Sequence, residues 1–127
     1  MMRRRRFDPA SAEDILASTL NMLGEPFTPF ERQFPYVPGR RFAADFALLG
    51  PRLLIEVQGG IAAFVRDDGE ERRGAHGSVA GVLKDNERLN MAAQHGWRVL
   101  RFAPAAMRDE NIGETIEIIE KAIRWRP

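Results

Sequence analysis

Asp45 and Glu56 stand in a stretch that otherwise reads as two apolar strands, RFAADFALL (41–49) and RLLIEVQ (52–58), separated by Gly50–Pro51. With Gly50 and Pro51 at the centre of a tight turn, Leu49 faces Arg52, Leu48 faces Leu53, and Asp45 faces Glu56. Directly opposed residues of an antiparallel pair have Cβ atoms about 4.5–5.5 Å apart. Two carboxylates so placed repel each other unless a cation sits between them or one holds a proton. Strand alternation puts Leu54, Glu56 and Gln58 on one face and Leu53, Ile55 and Val57 on the other, so Glu56 interrupts an apolar run and needs a partner. A hard divalent ion held by oxygen ligands is one answer. A solvated sheet face carrying both charges is the other, and spacing alone does not choose between them.

The elements that must hold this pair follow from periodicity. Ser11, with Asp14 three residues on, reads as an N-cap. Leu16, Leu20 and Leu23 recur at helical spacing up to Gly24, a natural stop. Prolines at 26, 29, 35 and 38 exclude a helix over 25–38 and leave Arg32–Val37 as an edge strand. Residues 59–78, rich in glycine and charge, read as an exposed excursion beside the two carboxylates, a mobile flap with His76 at its returning end. The spacing predicts a helix over 79–95, with Val82, Leu83, Asn86, Leu89 and Ala93 on its apolar face, ended by Gly96. Trp97–Phe102 reads as a buried strand, with Trp97, Val99 and Phe102 in the core. Asn111 then caps a helix striped by Ile112, Ile116, Ile119 and Ile123. The order is α-β-β-β-α-β-α. Strand 52–58, a long helix and strand 97–102 form a crossover unit, which pairs those two strands in parallel.

Composition narrows the chemistry. At 127 residues, 44% hydrophobic and 29% charged, the chain has the profile of one globular domain, 11–127 behind a basic arm 1–10. No apolar run approaches the ~20 residues of a membrane span, and no apolar segment follows Arg3–Arg6 as a signal peptide requires. The absence of cysteine excludes disulfides, thiolate-bound metals and thiol catalysis; with the missing signal it fits the cytoplasm. The net charge is +1, and it becomes −3 once the four arginines at 3–6 are set aside. Any nucleic-acid surface therefore comes from clustered charge. The arginine run is either a solvated arm or a set of phosphate contacts that would make binding salt-dependent.

The segment Asp45-x(10)-Glu56-Val57-Gln58 resembles the PD-(D/E)XK nuclease motif, with Gln58 where most members carry lysine. From Arg40 to Phe102 the chain is similar to small phage and prophage nuclease-like proteins related to very-short-patch-repair endonucleases. The matching pieces run in order: Arg40–Arg41, Asp45–Phe46–Ala47, Ile55–Glu56–Val57–Gln58–Gly59–Gly60, His76, Asp85–Asn86–Glu87–Arg88–Leu89–Asn90, and Gly96 to Phe102. The resemblance implies a restriction-endonuclease-like core, a mixed four-stranded sheet flanked by helices. It implies Mg²⁺ or Mn²⁺ on Asp45, Glu56 and the Val57 backbone carbonyl, polarising a phosphodiester and lowering the pKa of an attacking water. Gln58 can hold that water but brings no charge; Arg88 is the residue able to restore it. His76 lies where relatives place proton-transfer or leaving-group contacts.

Contacts to DNA fall, on the same resemblance, to Arg40, Arg41, Gly59, Gly60 and Arg88. The glycines either let the backbone approach a phosphate or only permit a bulge. Asp85 is an edge residue of the site or half of a solvated ion pair, and Asn90 a satisfied amide near the buried face. His95 suits a helix C-terminus. Glu13 and Glu31 are candidate extra acids, because sites of this kind often draw one from the first helix. Residues 61–75 depart most from the relatives. The implied activity is metal-dependent cleavage of DNA, without a membrane. The sequence does not give the oligomeric state; two cuts in a duplex would come more readily from a homodimer. A catalytically silent nucleic-acid-binding module is the rival reading, which Gln58 favours. A pure interaction protein has no specific signal.

Overall fold

The computed structural model describes residues 8–58 and 79–127. Helix α1 (Pro9–Leu23) begins at Asp8, which accepts a hydrogen bond from the Ser11 N–H at 2.8 Å. The N-cap is therefore Asp8, with proline in the first turn, and not Ser11 as the sequence pattern suggests; the carboxylate three residues earlier outcompetes the hydroxyl. Gly24, at φ 73°, ends the helix.

Four strands follow: β1 (Glu31–Pro35), β2 (Ala43–Leu48), β3 (Leu53–Val57) and, after helix α2 (Val79–Gln94), β4 (Arg98–Phe102). They form one mixed sheet in the order β1-β2-β3-β4. β1 and β2 pair antiparallel, as do β2 and β3, and β3 pairs parallel with β4. Leu48 faces Leu53 and Phe46 faces Ile55, the expected hairpin register. A 3-10 turn (Pro104–Met107) leads into α3 (Ile112–Arg124). Among the described residues no helix is long and apolar enough to cross a membrane.

Strand alternation builds two layers. Phe46, Leu48, Leu53, Ile55 and Val57 pack with Leu16 and Leu20 of α1 and Ile119 and Ile123 of α3. On the other face Ala44, Ala47 and Leu54 meet Trp97 and Ala92 of α2. The isoleucine stripe of α3 is half-buried to buried as expected, and Trp97 and Phe102 are buried. Asn111 precedes α3 but spends its side-chain amide on the Ala105 carbonyl at 2.9 Å, so it makes no side-chain cap.

Helix α2 departs from the expected face. Val82, Leu83 and Leu89 are 45%, 62% and 37% exposed, and Ala93 and Asn90 are exposed too. The half-buried and buried positions of α2 are Gly81, Asp85, Arg88, Met91 and Ala92, with His95 just past its end, so Asp85 and Arg88 share the inward face with a single large apolar side chain. The physical reason is the sheet beneath, which presents Glu56 to this helix and requires cations more than methyl groups.

Candidate active site at the parted end of the sheet

The β2–β3 ladder runs from Leu48↔Leu53 to Phe46↔Ile55, whereas β3 stays paired with β4 as far as Val57↔Phe102. β2 therefore leaves β3 at Asp45. There the Val57 N–H donates to Asp45 Oδ2 at 2.7 Å, a side chain standing where a strand carbonyl would otherwise accept. The alternation of β2 slips at the same point: Ala44 lies in the α2 layer but Phe46 in the α1 layer. Between Arg32↔Phe46 and Phe34↔Ala44, the residue of β1 beside Asp45 is Gln33, whose φ is 49°, a left-handed conformation rare for a residue with a side chain.

Asp45 turns toward α1. Gln33 Nε2 donates both to Asp45 Oδ1 at 3.3 Å and to Glu13 Oε1 at 3.1 Å, so one amide links two carboxylates. Arg32 Nη2 stands 3.7 Å from Glu13 and 3.3 Å from Asp14. Burial, and then the charge of Asp45, push the Glu13 pKa above its ordinary 4.5; Arg32 works against them and Asp14 with them. A raised carboxyl pKa means that the fold favours protonated Glu13. Its contribution to stability is present below 4.5 and is lost as the pH rises through the raised folded value. Glu13→Gln is accordingly expected to raise the melting temperature at pH 7, with the gain shrinking toward pH 4. Thermal melts across pH check this; an unchanged or lowered melting temperature at pH 7 contradicts it.

Glu56 turns the other way, toward α2. It is 5% exposed. Its Oε1 accepts from Arg88 Nη2 at 3.0 Å and its Oε2 lies 3.2 Å from Arg101 Nε. Arg88 also donates to the Ala43 carbonyl at 3.2 Å and to the Tyr36 hydroxyl at 3.4 Å. Burial opposes the Arg88 charge, but the Tyr36 hydrogen bond and the charges of Glu56 and Asp85 outweigh it and hold its pKa above the usual guanidinium value. Arg101 Nη1 is 3.7 Å from Asp85, and Gln58 joins the same group: with its amide oxygen toward Arg101 it accepts from Nη1 at 3.1 Å and Nε at 3.3 Å.

The residues singled out in the sequence thus form two groups. Asp45 and the Val57 backbone meet Glu13, the candidate extra acid of the first helix, through Gln33. Glu56, Gln58, Arg88 and Asp85 gather around Arg101. The hairpin register holds from Leu48↔Leu53 to Phe46↔Ile55 and stops there, so Asp45 and Glu56 are not a ladder pair; the slip at Asp45 turns its side chain toward the α1 layer, and the two carboxylates serve different partners. Glu31 lies at the other end of β1, opposite Ala47. His95 holds the Met91 carbonyl through Nδ1 at 2.8 Å, a helix-end role. His76, Gly59, Gly60 and the arginines 3–6 lie outside the described residues, as does the expected flap. Arg40 and Arg41 are exposed just before β2; Arg40 stacks over Phe42 at 4.8 Å and pairs with Glu87.

Comparison with protein families, with curated proteins and with solved structures returns no match.

Sequence reasoning missed Gln33 and Arg101. A glutamine in an exposed edge strand carries no pattern of its own, and only the register against Asp45 reveals it. Arg101 had a signal: it breaks an apolar strand as Glu56 does, and opposite charges in the buried β3 and its half-buried neighbour β4 are a pair waiting to be matched. Since Gln58 lies against Arg101, Gln58→Lys would set an ammonium beside a guanidinium. It is expected to lower the melting temperature by a few degrees, roughly the effect of ~1 kcal/mol in a domain of this size. A thermal melt reads this, and an increase would mean that Arg101 has room to move away.

Proposed function

We propose that the protein is a metal-dependent endonuclease acting on DNA, built on a restriction-endonuclease-like core. The observation that carries this reading is the acidic pair Asp45–Glu13 at the point where β2 parts from β3. The two carboxylates share one amide donor, and Asp45 raises the Glu13 pKa. Such crowding is relieved by a cation. Mg²⁺ is commonly held by only one or two carboxylates, with water and substrate phosphate completing its shell. Asp45 and Glu13 are such a pair: among the described residues Arg32 stands 3.7 Å from only one oxygen of Glu13, and Asp45 has neutral N–H donors and no cation on its own oxygens. Glu56 does not qualify, because both its oxygens face arginines. When bound, the ion supplies charge stabilisation at the phosphodiester and a more acidic water. Asp45 and Glu13 hold it, and Gln33 orients both carboxylates. Arg40 and Arg41, a few residues before Asp45, offer charge to the DNA backbone.

Incubation with supercoiled plasmid tests the reading. Nicking with Mg²⁺ or Mn²⁺, absent with chelator and absent in Asp45→Ala, supports it; equal nicking by both proteins overturns it. A catalytically silent DNA-binding module is the second reading, favoured by the pairing of Glu56 with Arg88 and Arg101 and by Gln58. Metal-independent, salt-sensitive binding to duplex without cleavage is its signature.

A further inference from the structure

We infer that Glu56 is a positioning residue: with Arg88 and Arg101 it clamps α2 and β4 to the end of the sheet and fixes the gap that Asp45 spans. The assignment of the cation to Asp45 rests on the proposed function; the clamp itself rests on the contacts alone. With Asp85 the cluster balances two guanidinium groups against two carboxylates, and both oxygens of Glu56 are already taken by Arg88 and Arg101, so no charge is left over to draw a further cation. To become a metal ligand, Glu56 would have to leave two buried partners uncompensated. Arg101 Nη2 is already buried with no hydrogen-bond partner among the described residues, so Arg101 depends on its remaining contacts to Glu56, Gln58 and Asp85.

Arg88 makes the clamp relevant to Asp45. One nitrogen, Nη2, holds both the Ala43 carbonyl of β2 and the Glu56 carboxylate of β3. Ala43 lies two residues before Asp45, and Glu56 lies one before Val57. Arg88 therefore ties together, on the α2 side, the two backbone segments that the Asp45–Val57 bond joins on the other. The separation of β2 from β3 at this end is set from both faces. Few apolar contacts share the task, because Val79, Val82 and Leu83 of α2 are exposed and its packing on the sheet runs through Ala92 and Met91.

The test uses the full chain with Mn²⁺ binding by calorimetry and the Val57 amide resonance by NMR as separate readouts. Asp45→Asn should weaken Mn²⁺ binding by a hundredfold or more. Glu56→Gln, which keeps a hydrogen-bonding oxygen, should leave it within about threefold of wild type. Arg88→Gln, which removes the bridge while leaving Asp45 and Glu56 as residues in place, should shift the Val57 amide and weaken Mn²⁺ binding at least tenfold. If Glu56→Gln abolishes Mn²⁺ binding, Glu56 is a ligand and the inference is wrong. If wild type binds no Mn²⁺, the cation reading fails, and the clamp stands or falls on the Val57 amide. A shift in Arg88→Gln sustains it; an unmoved resonance overturns it.

Discussion

Asp45→Asn is expected to reduce metal-dependent plasmid nicking by on the order of 10³-fold while leaving the fold in place, the loss expected when a charged ligand to the catalytic ion becomes neutral. The asparagine oxygen can still accept from the Val57 N–H, so the backbone contact at 2.7 Å survives. What disappears is the negative charge, together with the second acceptor that Asp45 offers to the Gln33 amide, which keeps its bond to Glu13. Removal of the charge also relieves Glu13, whose ionised carboxylate is disfavoured by burial and by Asp45. Stability is therefore expected to stay within about 1 kcal/mol of wild type, so lost activity cannot be attributed to unfolding. Circular dichroism melts and a nicking time course at fixed Mg²⁺ measure the two quantities together. Nicking by Asp45→Asn at the wild-type rate would assign the cleavage to a contaminant and leave DNA binding without catalysis as the function.

Glu13→Gln separates the acidic pair further. It removes the second carboxylate, keeps an oxygen for the Gln33 amide and is stabilising at neutral pH by the argument above. A variant that melts higher yet nicks more slowly is the pattern of a site held at a cost to the fold. Glu56→Gln has the opposite profile, melting lower with Mn²⁺ affinity retained. The two glutamine substitutions thus discriminate a ligand from a positioning carboxylate by the signs of their effects.

Element order, the hairpin register and the parallel pairing of β3 with β4 were legible because each rests on period-two alternation, a Gly–Pro turn and a helical crossover. Two things were not. The face that α2 presents to the sheet was hidden because apolar spacing at Val82, Leu83 and Leu89 competes with the polar line Asp85–Arg88, and only knowledge of Glu56 beneath decides for the latter. The direction of Asp45 was hidden because alternation assumes a regular strand. Gln33, at φ 49°, and the slip between Ala44 and Phe46 break that regularity at the residue on which the reading turned. Glu13 was visible only as one acid of the first helix among several; the bond through Gln33 singles it out.

Glu56→Ala is expected to destabilise the protein by about 3 kcal/mol, toward the lower end of the ~3–5 kcal/mol typical of breaking a buried ion pair. The reduction below the full range reflects the arginines, whose side chains are 29% and 21% exposed and recover some hydration. In a domain of this length that corresponds to a fall in melting temperature on the order of 10 °C. Arg88→Ala removes the same bond from the other side, together with the contacts to Ala43 and Tyr36. The two substitutions share a partner, so their effects should not add: the double variant should be more stable than the sum of the single losses by at least ~1 kcal/mol. Denaturant titration of the four proteins closes the cycle. Strict additivity, or a loss below about 1 kcal/mol for Glu56→Ala, would mean that the carboxylate is hydrated and available. Glu56 would then return as a candidate metal ligand beside Asp45, and the two faces of the sheet would have to be read as one site.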